Sequence, residues 1–327
     1  MTGLAIAGWG TALPEQRVTN ADLAERFDTT DEWIVARTGI RERRVAGDDE
    51  STATLAVAAG AEAIKNAGLT PDDVGLLIVA TATPEQPLPP TAAFVQEGIG
   101  LRCGGFDLGA ACAGFVYGLV AGTAFLSLRC EAVLLVASET LTRIVDPADR
   151  STFVLFGDGA AACVLIPGER GGLLGWDLGC DGSAAGLLSI PAGGSRCPTT
   201  VETAAAGEHW LRMDGREVFR RAVRVVVDSA HAALDDAGLT VDDVDVFVPH
   251  QANLRIVEAA ASRLSISLDR TVVNLDRFGN TSAASIPIAC AEGAAAGRIH
   301  DGDVVLLSGF GAGMTWGSAV LRWEGRD

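Results

Sequence analysis

The chain is short of positive charge, of aromatic rings and of paired cysteines. Its 25 lysines and arginines stand against 42 aspartates and glutamates, a formal net charge of −17. A field of that sign repels polyanions. It excludes nucleic-acid binding through the bulk surface and confines any acidic partner to a local basic patch. Aromatics make up only 6% of the residues, while 39 are glycine. Ala, Val, Leu and Gly must therefore fill the interior, which suits closely layered helices and buried parallel strands. The seven cysteines are odd in number and lack close paired spacing. That excludes a disulfide framework or a zinc site and fits a reducing cytoplasm. The N-terminus, Met1-Thr-Gly-Leu-Ala-Ile-Ala-Gly8, has neither the basic region nor the long apolar stretch of a signal peptide and reads as a strand. Cys112 to Leu128 is uncharged, but its glycines favour a buried core helix over a membrane span.

What is present is an internal repeat. Ala67-Gly-Leu-Thr-Pro-Asp-Asp-Val74 matches Ala237-Gly-Leu-Thr-Val-Asp-Asp-Val244, an offset of 170. Each copy follows an Ala-rich amphipathic helix, Ser51 to Asn66 or Val218 to Asp236, and leads into an apolar strand. A half-chain offset excludes a solenoid and points to two similar α/β halves packed about a pseudo-dyad, residues 1–170 and 171–327. Further strands are predicted at 4–8, 132–137, 161–166, 272–274 and 304–308. The Gly/Ala/Ser/Thr/Pro-rich segment 181–208 reads as a loop between the halves.

Cys112 ends a short strand and opens the long apolar helix. There the helix dipole is expected to lower the thiol pKa and supply a thiolate nucleophile. His250 ends the repeated strand of the second half, and Asn280 lies in a Gly/Ser-rich turn before another helix. Adding the offset to Cys112 gives position 282, two residues past Asn280, so the two turns are expected to meet at the dyad with His250 beside them. A thiolate suits acyl transfer. A neutral histidine and an asparagine amide are two N–H donors that suit one developing oxyanion.

The segments Phe106-Asp-Leu-Gly-Ala-Ala-Cys-Ala-Gly-Phe115, Pro249-His-Gln-Ala-Asn-Leu-Arg-Ile256 and Gly279-Asn-Thr-Ser-Ala-Ala-Ser285 resemble the active-site segments of the β-ketoacyl-[acyl-carrier-protein] synthase III family. The resemblance extends from Leu13-Pro-Glu15 and Asp31–Arg43 to Thr315-Trp-Gly-Ser318. It implies a thiolase fold of five α/β/α/β/α layers. It also implies a decarboxylative condensation of an acyl-CoA primer with malonyl-[acyl-carrier-protein], initiating fatty acid synthesis.

In that scheme Cys112 carries the acyl group, and the backbone N–H groups of Cys112 and Ala312 hold its oxyanion. His250 and Asn280 stabilise the malonyl enolate. Trp33 and Arg150 match the residues that sandwich the adenine of coenzyme A. Thr29 and Arg37 match adenine and phosphate contacts, and Gly215 and Asn253 match pantetheine contacts. Phe156 and Leu88 match acyl-pocket positions. Leu88 replaces a phenylalanine found in acetyl-selective relatives and reaches across a homodimer interface. Arg220, Arg224 and Arg255 form a patch for the acidic carrier protein. No metal or redox cofactor is implied, and acyl-CoA is a substrate. The alternatives are a related acyltransferase with a hydroxyl or amine acceptor, a priming enzyme of a polyketide pathway, and a silent partner subunit, which Cys112 argues against.

Overall fold

Small residues lie where helices meet sheets. The computed structural model describes residues 3–128 and 130–325. The chain first forms β1 (Ala5–Ala12), α1 (Asp31–Thr38), α2 (Thr52–Asn66), β2 (Leu76–Ala80), α3 (Thr91–Ile99), β3 (Gly104–Leu108), α4 (Gly114–Ser127), β4 (Val133–Thr140) and β5 (Asp158–Ile166). It continues with β6 (Gly172–Cys180), α5 (Gly215–Ala237), β7 (Val246–Pro249), α6 (Leu254–Arg263), α7 (Ser285–Ala295), β8 (Val304–Gly311) and β9 (Thr315–Arg322). Shorter turns of helix and two small ribbons fill the connections.

Two sheets result, ordered β1-β5-β4-β2-β3 and β7-β8-β9-β6. In the first, β2 is parallel to β3 and β4, while β5 is antiparallel to β1 and β4. In the second, β7 is parallel to β8, while β9 is antiparallel to β8 and β6. Helices α2 and α3 cover the outer face of the first sheet, and α5 and α6 that of the second. Helices α4 and α7 fill the space between the sheets. This is the five-layer α/β/α/β/α thiolase arrangement expected.

The local sequence explains the elements. Ser51 caps α2, accepting from Thr54 N while the Thr54 hydroxyl returns to the Ser51 backbone. Asp214 caps α5, which ends at Gly238 with φ +67°. Along α5, Val218, Ala222, Val223, Val226, Ala230, Ala233 and Leu234 recur at helical spacing and are buried. Each buried valine or leucine contributes roughly 1.5–3 kcal/mol. Two glycines let the outer helices close on their sheets. A Cβ on Gly10 of β1 would stand 2.1 Å from Ala59 O of α2, and one on Gly175 of β6 would stand 2.4 Å from Ala233 O of α5.

Three expectations need correction. The strand predicted at 272–274 is reduced to one bridge, Thr271 to Phe247. The backbone groups beyond it turn to a side chain: Gln251 Nε2 donates to Val272 O at 3.1 Å, and Asn274 N donates to Gln251 Oε1 at 3.1 Å. The segment 181–208 does not separate the halves, because β6 before it already belongs to the second sheet. It holds a 3-10 turn (Gly182–Leu187) and a short helix (Val201–Ala205). The offset also changes, from 170 at the repeated motif to 171 from α4 onward, where Gly114 corresponds to Ser285 and Val133 to Val304. One added residue therefore makes Ala283, not Ser282, the counterpart of Cys112.

Candidate active site

Cys112 sits in the 3-10 turn Ala111–Ala113 that feeds α4. Ala111 has φ +46°, in the left-handed region that costs a residue with a Cβ. The counterpart turn, Ser282–Ala284, feeds α7, and Ser282 has φ +48°. The end of β8 stands against the cysteine turn. A Cβ on Gly311 would lie 2.5 Å from Cys112 N. The Thr315 hydroxyl donates toward both Ala110 O and Ala312 O, each at 3.0 Å, and so ties the two turns together.

Cys112 is buried, 7% exposed. Burial pushes its pKa up, to about 12. The Ser282 hydroxyl beside the sulfur pulls it down, and the nearby Glu139 charge pushes it up further. The expected lowering by the helix start is overturned, since desolvation of a buried sulfur outweighs it.

His250 extends the β7 ladder, its N donating to Ser308 O at 2.8 Å. Its ring is buried and meets Phe310 edge-on, with centroids 5.5 Å apart. Burial lowers its pKa to about 3, so the imidazole is neutral. Asn280 is fixed at both ends of its peptide. Its N donates to Leu155 O at 2.8 Å, and its carbonyl accepts from Gly157 N at 3.0 Å. Its Oδ1 accepts from Ser282 N at 2.9 Å. That bond orients the amide and leaves the NH2 group as the end available to a ligand. The neighbouring backbone rests on Arg43, a guanidinium 1% exposed that donates to Val18 O, Asn20 Oδ1 and Val154 O.

All three side chains line one cavity of about 430 Å³, together with Trp33, Arg37, Phe156, Gly215, Asn253, Arg255 and Ala312. Arg37 and Arg150 both lie over the Trp33 ring, at 4.3 and 4.7 Å from its centroid. Arg150 also donates to Asp28 O. Asn253 caps α6 and donates to Arg37 O at 3.0 Å.

Five of the expected residues are not part of the lining. Thr29 lies near Trp33 in sequence, and its Oγ1 is buried without a partner among the described residues. Arg150 joins only through Trp33. Leu88 is 80% exposed on the loop between β2 and α3. Arg220 and Arg224 project from α5, where Arg220 pairs with Glu217 at 2.6 Å and Arg224 with Asp228 at 3.3 Å. Among the described residues, no cluster of three or more His, Cys, Asp or Glu is placed to hold a metal ion, and no helix is long and apolar enough to cross a membrane.

Residues 106–182 match the family 3-oxoacyl-[acyl-carrier-protein (ACP)] synthase III, and residues 234–323 match its C-terminal part. A β-ketoacyl-[acyl-carrier-protein] synthase III of Roseiflexus castenholzii is 52% identical over 323 residues, 98% of each chain. The chain belongs to the β-ketoacyl-[acyl-carrier-protein] synthase III family. The crystal structure of the Pseudomonas aeruginosa synthase III superposes with a TM-score of 0.91 at 42% identity, covering 98% of each chain. The priming β-ketosynthase of the R1128 polyketide pathway superposes with a TM-score of 0.90 at 38% identity, over 99% of this chain and 97% of that one. Synthase III membership makes this chain a condensing acyltransferase, and overall shape alone does not separate it from the polyketide relative.

Within that synthase III site, several residues escaped the sequence reading. Arg216 lines the cavity beside Gly215, and Ala184, Leu187 and Leu188 form a wall of it from the supposed linker. Glu139 accepts from Ala82 N and from Ala283 N, the latter in the turn that is the counterpart of the cysteine turn. Only Glu139 left a clear signal, a carboxylate two residues past the apolar run Ala132–Ala137.

Proposed function

We propose that Cys112, His250 and Asn280 condense an acyl-CoA primer with malonyl-[acyl-carrier-protein], giving a 3-oxoacyl-carrier protein, CO2 and coenzyme A. This is the initiating step of fatty acid synthesis. The observation that carries the residue assignment is the convergence, in one cavity, of a buried thiol, a neutral imidazole and an amide whose oxygen is already engaged.

The reaction has two halves. Cys112 attacks the primer thioester, and coenzyme A leaves. The tetrahedral oxyanion lies at the N–H groups of Cys112 and Ala312, whose turns are held together by Thr315. Malonyl-carrier protein then enters. As CO2 departs, negative charge grows on the thioester oxygen, where the His250 and Asn280 N–H donors stabilise it. The resulting carbanion attacks the acyl-cysteine. A neutral imidazole suits a donor role, since a proton acceptor with a pKa near 3 is weak at neutral pH.

The remaining assignments follow the cavity outward. The adenine stacks between Trp33 and Arg150 once the guanidinium lifts off the ring, with Thr29 and Arg37 at adenine and phosphate and Gly215 and Asn253 along the pantetheine arm. Phe156 bounds the acyl end. The carrier protein docks on Arg255, with Arg220 and Arg224 recruited from their partners on α5. The enzyme acts in the cytoplasm without metal or redox cofactor, as a homodimer of chains each built from halves 1–170 and 171–327. The open edge of β3 and the exposed Phe94, Phe125 and Leu128 support that assembly.

The test is transfer of labelled acyl groups from a panel of acyl-CoA primers, with and without malonyl-[acyl-carrier-protein], beside Cys112→Ala. The expected result is an acyl-enzyme absent from Cys112→Ala that becomes 3-oxoacyl-carrier protein only when the malonyl partner is added. Acylation without condensation would move the assignment to an acyltransferase with another acceptor.

A further inference from the structure

Arg43 is a buried cation that the condensation assigned above does not use. It stands in the ribbon strand Glu42–Arg44, opposite Val18, and is 1% exposed. Burial lowers its pKa to about 10, so the side chain stays charged at neutral pH. Its hydrogen-bond partners are all neutral. It donates to Val18 O at 3.1 Å, Asn20 Oδ1 at 2.9 Å and Val154 O at 2.8 Å, and its Nε has no partner among the described residues. A guanidinium held this way, without a carboxylate on its fork, is costly to bury.

Its contacts lead to one side of the cavity. Val154 precedes Leu155-Phe156-Gly157, and Phe156 bridges Asn280. Leu155 O accepts from Asn280 N, and Gly157 N donates to Asn280 O. The stem of Arg43 packs against both sides of this bridge: a Cβ on Gly157 would stand 3.2 Å from Arg43 Cβ, and one on Gly279 would stand 3.3 Å from it. The head of the side chain is held in turn. Asn20, itself 1% exposed, donates to Ile40 O and to Asp31 Oδ1, each at 2.8 Å. The other two members of the site have separate supports. Thr315 ties the cysteine turn to the end of β8, and His250 N donates to Ser308 O.

We propose that Arg43 is a positioning residue for Asn280: it anchors the segment Val154–Gly157 and thereby sets the Asn280 amide where the malonyl thioester oxygen gains charge. The proposal rests on the donor role of Asn280 assigned above. The three acceptors of Arg43 come from three separate segments, and a planar fork of N–H groups reaches them together. A lysine ammonium is a point charge on a shorter reach and cannot hold all three. With the anchor lost, the bridge to Asn280 persists, but it moves as a unit with the segment it joins. A displacement of about 1 Å in a group that stabilises a transition state costs about a hundredfold in rate. Acylation of Cys112 does not use the Asn280 amide, so the effect falls on the second half-reaction.

The experiment measures the two half-reactions separately. Acyl-enzyme is formed with saturating acetyl-CoA, then mixed with malonyl-[acyl-carrier-protein] labelled in its free carboxyl, and the labelled CO2 released in a single turnover is followed. The proteins are the wild type, Asn280→Ala, Arg43→Lys, Arg43→Met, and the double variant Arg43→Lys with Asn280→Ala. Arg43→Met is expected to release CO2 about a hundredfold more slowly and Arg43→Lys about tenfold, while both acylate Cys112 within about twofold of the wild-type rate. In the double variant Arg43→Lys should add no further loss, because the amide it positions is gone. Arg43→Lys serves if Arg43→Met fails to fold, and acyl-enzyme formation itself reports an intact site. Unchanged CO2 release from Asn280→Ala would overturn the donor assignment on which the proposal rests. Slow release from Asn280→Ala, with Arg43→Lys unchanged, equally slow in both half-reactions or fully additive in the double variant, would overturn the positioning role alone. Insolubility of both Arg43 variants would overturn it too, by showing that the side chain serves the fold as a whole.

Discussion

A histidine buried against the edge of Phe310 takes up a proton less readily in the folded chain than in the unfolded one. His250 titrates near 3 in the folded chain, against an ordinary 6.5. Between those values the unfolded chain binds a proton that the folded one does not. Stability therefore falls as pH falls through that window, by at most about 1.4 kcal/mol per pH unit. Glu139 and Asp158, with folded pKa values raised by burial, act in the opposite direction. The comparison must therefore be with His250→Gln, which retains them. Denaturant unfolding from pH 4 to 7 should show the wild type losing stability more steeply than the variant; equal slopes would mean that folding does not lower the pKa of the ring. The same side chain separates the two half-reactions. His250→Ala and Asn280→Ala should leave acylation of Cys112 nearly intact while slowing malonyl decarboxylation by about 10²–10³. Trapping the acyl-enzyme and counting released CO2 distinguishes the two steps.

Helices close on sheets here through missing side chains. Gly10→Ala would drive a methyl into Ala59 O of α2, a backbone atom that cannot swing aside. The expected loss is about 1–3 kcal/mol in thermal or denaturant unfolding. Gly186→Ala, with open space around its would-be Cβ, should stay within about 0.5 kcal/mol of the wild type. Equal effects would refute the close-approach argument. The same level explains what could be read in advance. The duplicated Ala-Gly-Leu-Thr with Asp-Asp-Val marks one helix–turn–strand unit in each half, because caps and turns depend on local chemistry that survives duplication. His250 stands at the end of such a unit, and Cys112 and Asn280 stand at turns that open helices, so each was legible from its own segment. Residues 272–274 look like a strand because local propensity cannot foresee that Gln251, 21 residues before Val272, will take their hydrogen bonds. The cavity wall at Leu187 and Leu188 and the bond from Ala283 N to Glu139 arise where distant segments meet, and short-range patterns carry no trace of such meetings. The thiol pKa failed for a related reason. A helix start is visible in sequence, whereas the burial that overrides it belongs to the whole core.

At the scale of the molecule, the first sheet ends in an open strand. Nothing among the described residues pairs with the free edge of β3, and Phe106 there lies 6.2 Å from the exposed Phe125 of α4. An apolar open edge invites strand pairing, and in the proposed dimer a second copy supplies it. Phe125→Glu should therefore shift the protein toward monomer in sedimentation velocity, by placing two buried carboxylates at the interface. The assembly also bears on primer choice. Leu88 lies outside the cavity of its own chain and is 80% exposed, so it can shape an acyl pocket only by crossing to the partner. Replacing it with phenylalanine adds bulk at that wall. In the intact dimer, Leu88→Phe should lower kcat/KM for isobutyryl-CoA relative to acetyl-CoA by about tenfold, the scale on which apolar pockets discriminate a methyl group or two. In the Phe125→Glu background the same substitution should leave that ratio unchanged, because the side chain no longer reaches a pocket. An unchanged ratio in the dimer would remove Leu88 from the acyl pocket. A shift that persists in the monomer would place its influence within its own chain.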